Sequence, residues 1–339
     1  FMITGFVIGI PLFYNVAFIL VFPLIASVVY RYKLPVMFVA VPMAAALSVT
    51  HGFLPPHPSP VALVSQFNAN MGQTLLYGIV IGLPTSVIAG PLFSKTLKSI
   101  NAVPIQTFKT EGLPDDQLPG LLNSIFSALL PVLLLAFTTI AGFYISKESS
   151  IYQVFAFVSD SSIVMLISLV VATYTLGIGR GFSMKNLMNQ YADSVKDVAM
   201  IVLIIGGAGC LKQVLLESKV SDEIAVHLQN LTIHPLVLGW LIAAIIRVCV
   251  GSATVAGLTA AGIVAPLLAA NPEVNPNLMA LSVGAGSLLF SHVNDTGFWL
   301  FKEYFNLSIK DTIRSWSLME TLVAICGLIG VLILNLFIG

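Results

Sequence analysis

Long apolar stretches separated by short polar ones run along the whole chain. A helix that crosses a bilayer needs about 20 apolar residues, and most of the stretches approach or exceed that length. They are 1–30, 34–50, 71–94, 120–145, 154–178, 198–216, 235–270, 276–291 and 311–338. Stretch 235–270 is too long for one crossing, and Gly251-Ser252 interrupts it near the middle. We therefore predict a re-entrant hairpin there, with a helix over 235–250, a polar tip at 251–254 and a helix that returns over 255–270.

The tetrapeptide Ala-Leu-Ser-Val occurs twice, at 46–49 and 280–283, and a polar cluster follows each copy. Upstream of each copy lies a Gly-rich apolar stretch that closes on Pro-Leu. Interrupted apolar segments at corresponding places in two halves are typical of a secondary transporter's binding site. The pattern predicts an all-α polytopic membrane protein with inverted repeats, two re-entrant hairpins and two broken transmembrane helices. We expect the hairpin of the first half in stretch 1–30, with its tip at 9–15.

The predicted repeats divide the chain into three parts. Residues 1–99 form the first repeat, which is incomplete, and residues 100–120 form a polar cytoplasmic linker. Residues 121–339 form the second repeat, with scaffold helices, the hairpin at 235–270 and a broken helix at 276–306. In this topology most loop lysines and arginines fall on one side, which the positive-inside rule makes cytoplasmic. The chain opens inside an apolar stretch, and the symmetry predicts that about 100 residues precede it.

The composition excludes most classes of soluble protein. The chain is 57% hydrophobic and 9% charged, with a mean hydropathy of +0.97, whereas soluble domains contain about 25% charged residues. Lys and Arg (15) balance Asp and Glu (15), so no basic surface indicates a nucleic-acid partner. The three cysteines lie in apolar runs without metal-ligand spacing, and we expect no metal or cofactor. The enzyme motifs HExxH and GxSxG do not occur.

Polar side chains near the predicted interruptions carry the chemistry of the site. Arg247 lies one turn before the hairpin tip, and its donors match a carboxylate bidentately; a structural pair with Asp295 is the alternative. Ser252 and Thr254 at one tip and Asn15 near the other offer neutral hydrogen bonds that suit a polyhydroxylated ligand, although small residues also permit close helix packing. Unpaired amides at broken helix ends favour an anion. The predicted substrate-binding residues are Asn15, Thr50, His51, His57, Ser59, Arg247, Ser252, Thr254 and Asn294.

An aspartate and a histidine at the second interruption are the predicted proton-coupling groups, Asp295 and His292. An aspartate at bilayer depth costs at least ~2.5–3.5 kcal/mol, so it needs a partner, a proton or a function; a structural acid bonded to unwound backbone is the alternative. Imidazole titrates near neutrality. His57 holds the similar place in the first half, in a proline-rich loop that we expect not to be helical. We interpret Glu320 as an interhelix or snorkelling carboxylate.

At these residues the chain resembles the gluconate permease family, whose members are gluconate:proton symporters. The matching stretches are LSVTHGFLPPHP at 47–58, GSATVA at 251–256, SHVND at 291–295 and GFWLFK at 297–302. The resemblance covers essentially the whole chain and implies a bacterial inner-membrane protein that imports gluconate or a related small sugar or hydroxy acid with protons. The wider ion transporter superfamily implies a homodimer in which a transport domain moves, in an elevator mechanism, against a fixed scaffold. Several relatives carry an acidic residue at the position of Asn15, which leaves the choice of sugar acid open.

Other interpretations remain open at this point. The same residues fit another small carboxylate or a D-amino acid such as D-serine, and they do not distinguish proton from sodium coupling. A passive channel, or an intramembrane enzyme that uses His57, His292 and Asp295, is the alternative from another class. The sequence lacks a short filter motif and the enzyme motifs, which favours a carrier.

Overall fold

Helices make up the regular elements that the structure describes. It is a computed structural model, and it describes residues 1–10, 12–105, 119–142, 152–193 and 233–338, with single positions at 145, 195, 210, 214, 217 and 218. The first helices are α1 (Met2–Gly9), α2 (Tyr14–Tyr32), α3 (Val36–Phe53), α4 (Pro58–Gln66), α5 (Met71–Val87), α6 (Leu121–Gly142), α7 (Tyr152–Ser159) and α8 (Ser161–Ala172). They are followed by α9 (Pro235–Val250), α10 (Ala253–Ala270), α11 (Pro276–Gly286), α12 (Thr296–Tyr304), α13 (Ile309–Thr312) and α14 (Leu318–Ile338). Short π-helical segments lie at Ile88–Leu92, Thr173–Gly177 and Ile313–Ser317, and 3₁₀ turns at Lys95–Leu97 and Ile178–Arg180.

In the described part of the chain, six helical stretches are long and apolar enough to cross a membrane. They are Tyr14–Tyr32, Val36–Gln66, Met71–Leu97, Ser162–Arg180, Ala253–Ala270 and Ile309–Ile338. The prediction of an all-α polytopic membrane protein is therefore confirmed. Apart from the single positions 210 and 214, the span predicted at 198–216 lies outside the described residues, and so do residues 106–118 of the predicted linker.

The central helix of the bundle is α3. Almost all of its side chains are buried, and it packs against α1, α2, α5 and α14. Gly9 lets α1 lie close to it, because a side chain at that position would collide with Thr50 of α3. Small residues are the usual means by which membrane helices approach closely. The end of α1 is thereby held against the last turn of α3.

Non-helical segments separate α1 from α2, α3 from α4, α9 from α10 and α11 from α12. The one after α9 is made by Gly251, which has a left-handed φ of +79° and whose N–H donates to the carbonyl of Arg247 at 2.9 Å. A side chain at Gly251 would collide with the backbone of Asn294, which lies between α11 and α12. Two of the interruptions therefore touch one another at this glycine.

Three helix boundaries differ from those expected from the sequence. Part of the proline-rich loop is helical, since α4 begins at Pro58 and proline is well tolerated at the first position of a helix. Asn15, expected at a tip, lies in the first turn of α2. The stretch 154–178 is divided at Asp160, whose side chain accepts hydrogen bonds from the first turn of α8 and so caps a new helix.

Candidate functional site

A cavity of about 780 Å³ lies where three of the interruptions meet the last turns of α3 and the start of α14. Its wall takes residues from the start of α2, from the segment between α9 and α10, and from the segment between α11 and α12. The polar members of the wall are Tyr14, Asn15, Ser48, His51, Arg247, Ser252, Thr254, Asn294, Asp295, Thr296, Trp316 and Glu320. Its volume suits a small organic ligand, for which pockets are typically about 300–1,000 Å³.

An ion pair between Arg247 and Asp295 forms one side of the cavity. Arg247, in the last turn of α9, is 3% exposed, and its Nη2 donates to Oδ2 of Asp295. The same Oδ2 accepts from the hydroxyl of Ser291, and Oδ1 accepts from the N–H of Gly297 at 3.0 Å, which caps α12. Among the described residues, Nε and Nη1 of Arg247 have no hydrogen-bond partner. Buried polar groups are normally hydrogen-bonded, so these guanidinium donors are suited to a ligand acceptor.

A second carboxyl, Glu320, lies in the wall at the first turn of α14. It is 2% exposed, and its Oε1 accepts from the hydroxyl of Ser48 in α3. Its Oε2 has no partner among the described residues, and the same holds for the Tyr14 hydroxyl and for Nδ1 of His51. Together with Arg247, these groups place buried, unpaired donors and acceptors around one cavity.

The N-termini of α2, α10 and α12 all contribute residues to the wall. Ser252 caps α10, since its hydroxyl accepts from the N–H of Val255 at 3.4 Å, and Asp295 caps α12. The first turn of α2 has no side-chain cap. The free N–H groups and the positive end of a helix dipole favour an anion there.

The sequence also matches known proteins. The GntP family permease model matches residues 1–337. The chain belongs to this family. It is 46% identical over 337 residues to a high-affinity gluconate transporter of Escherichia coli K12, which covers 99% of this chain and 77% of that protein. It is 45% identical over 334 residues to the Gnt-II system L-idonate transporter of the same organism, covering 98% of this chain and 76% of the relative. Against the gluconate permease of Bacillus subtilis 168 the identity is 42% over 352 residues, with coverages of 99% and 77%.

Membership of the family, together with the six apolar helices, makes this permease a multi-pass protein of the bacterial inner membrane. Its relatives are named transporters and permeases, so it is a transporter and not an enzyme.

The predicted site residues of the permease divide into two groups. Those in the cavity wall are Asn15, His51, Arg247, Ser252, Thr254, Asn294 and Asp295. Those outside the wall are Thr50, His57, Ser59 and His292. The second group makes contacts that support the wall.

The three residues of the second group from the first half hold neighbouring helices. The Nε2–H of His57 donates to the carbonyl of Gly9 at 2.6 Å, and its ring packs edge-on against His51 with centroids 5.3 Å apart. The hydroxyl of Thr50 donates to the carbonyl of Leu47 at 2.9 Å. Ser59 lies against Gly257 of α10. His57 therefore joins the start of α4 to the end of α1, and Ser59 joins α4 to α10.

His292 and Asn294 close the end of α9. The Nε2–H of His292 and the amide of Asn294 both donate to the carbonyl of Val248, at 3.0 and 2.9 Å. The last carbonyls of a helix have no intrahelical partner, so this contact compensates for the break at Gly251.

Sequence reasoning missed Ser48 and Trp316 in the wall and assigned Glu320 to interhelix pairing or snorkelling. One signal could have found Glu320, because a lone carboxyl in a long apolar helix is a functional candidate by default. Ser48 and Trp316 reach the wall through tertiary packing, and Trp316 donates its Nε1–H to the hydroxyl of Ser291 at 2.7 Å. Nothing in their local sequence indicates that position.

Proposed function

We propose that this permease imports gluconate or a related small sugar acid by proton symport. The observation that carries the proposal is the cavity in which the unpaired Nε and Nη1 of Arg247 lie together with the uncapped N-terminus of α2. Relatives named gluconate transporter and gluconate permease support gluconate as the substrate.

In this proposal Arg247 binds the substrate carboxylate, since a guanidinium pairs with carboxylates through parallel charge-assisted hydrogen bonds. Asn15, His51, Ser252, Thr254 and Asn294 bind hydroxyl groups along the sugar acid. Thr50, His57 and Ser59 act through the positions of the helices that they contact. Among the described residues, the cavity wall contains no second buried cation, which suits a substrate with one carboxylate.

We also infer an elevator-type transport cycle in a homodimer. Two features of the described residues support it. The α9–α10 pair is divided by a tip that opens onto the cavity, and the α11–α12 pair is interrupted at the same cavity. Non-helical backbone at membrane depth is tolerated only where it is buried in protein or lines a cavity. On this basis α1–α2 and α9–α10 are the two re-entrant hairpins of inverted repeats, the first within 1–99 and the second within 121–339.

The sequence predicted Asp295 and His292 for the proton-binding role, and that prediction is open to test. Asp295→Asn tests the first directly, because the substitution keeps the shape of the side chain and removes its charge. Under the prediction, this variant binds substrate but does not accumulate it against a gradient.

Reconstitution into liposomes tests the proposed function. We expect saturable uptake of labelled gluconate that an inward proton gradient drives above equilibrium, together with counterflow when unlabelled gluconate is trapped inside. Uptake without saturation or counterflow would indicate a channel and contradict the proposal. An inward sodium gradient at equal pH on both sides serves as the control for sodium coupling.

L-Idonate is a second candidate substrate, because a relative at 45% identity is named an L-idonate transporter. Competition of unlabelled L-idonate and D-serine against labelled gluconate separates these substrates. Strong competition by L-idonate, without competition by D-serine, would extend the substrate class to a stereoisomer of gluconate. Strong competition by D-serine, without competition by L-idonate, would overturn the assignment to sugar acids.

A further inference from the structure

Glu320 is a buried carboxyl that has no cationic partner among the residues that the structure describes. It is 2% exposed, its Oε1 accepts from the Ser48 hydroxyl, and its Oε2 is unpaired among the described residues. The ion pairs among the described residues join Arg247 to Asp295, Lys302 to Glu303, and Arg314 to Asp311, and none of them includes Glu320. An isolated buried carboxylate is very unfavourable, and such groups avoid the penalty by taking up a proton or a partner.

The groups that face Glu320 come from several elements. Arg247 of α9 and Asp295 act on it electrostatically, and Tyr14 of α2 lies within the same range. His51 of α3 shares the cavity wall. Among the described residues, the other elements packed against α14 add no titratable group to the wall. α11 and Ile88–Leu92 carry no titratable side chain. Tyr77 of α5 and half-buried Cys326 of α14 lie outside the wall, and Arg314 is half-exposed beside Asp311.

The net charge of the cavity wall depends on whether Glu320 carries a proton. Arg247 and Asp295 neutralise each other, so an ionised Glu320 gives the wall one net negative charge. An entering carboxylate would add a second negative charge in a low-dielectric space, where like charges repel strongly. A proton on Glu320 removes that repulsion and leaves an O–H that can donate to the substrate.

We propose that Glu320 binds, at Oε2, the proton that enters together with the anionic substrate. The proposal rests on the proposed function, since it requires an anionic substrate in this cavity. The proton adds to the carboxylate without breaking a bond to carbon, and it leaves again when the substrate leaves. Because binding of either partner favours the other by the same factor, the two are coupled as symport requires.

The pH dependence of gluconate binding to the purified protein tests the proposal. In the wild type the affinity is greatest at low pH and falls ~10-fold per pH unit above the pH at which Glu320 loses its proton, as expected for uptake of one proton. Glu320→Gln mimics the protonated carboxyl, so its affinity stays near the low-pH value at all pH. In liposomes the variant exchanges gluconate but no longer accumulates it under a proton gradient. Glu303→Gln is the matched control, because Glu303 is exposed and pairs with Lys302 away from the cavity.

Asp295→Asn separates the two carboxyls of the wall. Under the proposal this variant keeps the pH slope of the wild type, although its affinity changes with the loss of the Arg247 pair. A pH slope that survives in Glu320→Gln, or that disappears in Asp295→Asn, would overturn the proposal.

Infrared difference spectra give a second readout that does not depend on folding of the Gln variant. Gluconate binding to the wild type at high pH should produce a carboxylic acid C=O band. Its frequency depends on the hydrogen bonds to the carboxyl, and each wall carboxyl accepts from a different serine. We expect the band to move in Ser48→Ala and to stay in Ser291→Ala; the reverse would assign the proton to Asp295. If the wild type binds no sugar acid at any pH, the proposed function fails and this inference fails with it, whereas binding with a pH slope independent of Glu320 removes only the inference.

Discussion

The two copies of Ala-Leu-Ser-Val stand at similar places in α3 and α11, yet their serines make different hydrogen bonds. Ser48 donates to the carboxyl of Glu320 in the cavity wall. Ser282 donates to the backbone carbonyl of Leu236 at 2.6 Å and so joins α11 to α9. The same tetrapeptide therefore contributes to the cavity wall in one half and to a helix contact in the other. The tertiary neighbour, and not the local sequence, decides which.

The segments that follow the two copies also differ in what they contribute to the cavity wall. The first, between α3 and α4, is short and rich in proline, and its His57 holds the end of α1. The second, between α11 and α12, is longer and brings Asn294 and Asp295 into the wall. The charged side chains of the wall, Arg247, Asp295 and Glu320, all come from the second half. We infer that the first half supplies only neutral groups to the wall, whereas the second supplies its charge together with further neutral groups.

The largest effect is expected at Arg247, the cation of the second half. Arg247→Gln should weaken gluconate binding at least ~30-fold, because a buried charged contact is worth about 2–5 kcal/mol. Arg247→Lys keeps the charge but loses the fork of donors, so the loss should be nearer tenfold, equivalent to one charged hydrogen bond of about 1.5 kcal/mol. Isothermal titration of both purified variants measures the difference.

A double variant controls for folding in that experiment. Arg247→Gln leaves Asp295, whose side chain is 17% exposed, without its cation, and loss of one partner of a buried pair costs at most about 3–5 kcal/mol. Arg247→Gln with Asp295→Asn removes both charges and should recover much of the thermal stability but not the binding. Equal, mild losses of binding in Arg247→Lys and Arg247→Gln would assign Arg247 to structure alone and remove the charge difference between the halves.

A smaller effect, on stability, is expected at the point where the two interruptions of the second half touch. Gly251→Ala places a Cβ in left-handed backbone, which costs about 1–2 kcal/mol, and the new atom also meets Asn294. Gly257→Ala in α10 is the matched control, because a Cβ there would be 3.5 Å from its nearest neighbours. Thermal unfolding in detergent at one scan rate should show a clear loss for the first variant and little change for the second. Equal unfolding midpoints for the two variants would mean that the segment around residue 251 moves away from Asn294 without loss of stability.

Much of the fold was predictable, because burial in a membrane demands long apolar helices and glycine or proline marks their ends. The interruptions at Gly251 and after Gly286 are examples. The division at Asp160 was not predicted, since an acidic cap inside an apolar stretch resembles a tolerated polar residue until its bonds to the next turn are known. In the site, Arg247 and Asp295 were found because charge at membrane depth is costly. Ser48 and Trp316 were not, because their contacts join residues far apart in the chain.

The two serines themselves give a sharper test of the comparison. Ser282→Ala should lower stability by about 1 kcal/mol, the net value of one hydrogen bond, and leave gluconate binding and its pH profile unchanged. Ser48→Ala should shift the pH of half-maximal binding by about one unit, because a hydrogen bond to a charged group is worth about 1.5 kcal/mol or more. Binding isotherms over a pH series measure both variants. Identical pH profiles for the two variants would mean that Ser48, like Ser282, contributes only to helix packing.

The smallest effect is expected at His292, which the sequence predicted as a proton-coupling group. His292→Ala should change stability by less than about 0.5 kcal/mol, because Asn294 donates to the same carbonyl of Val248 and keeps it hydrogen-bonded. The pH profile of gluconate binding should match that of the wild type, since the ring lies outside the cavity wall. Asn294→Ala is the comparison variant: it removes the other donor and also a wall residue, so it should weaken binding more. A flattened pH profile in His292→Ala would return proton coupling to the segment between α11 and α12 and leave Glu320 and Ser48 in a supporting role.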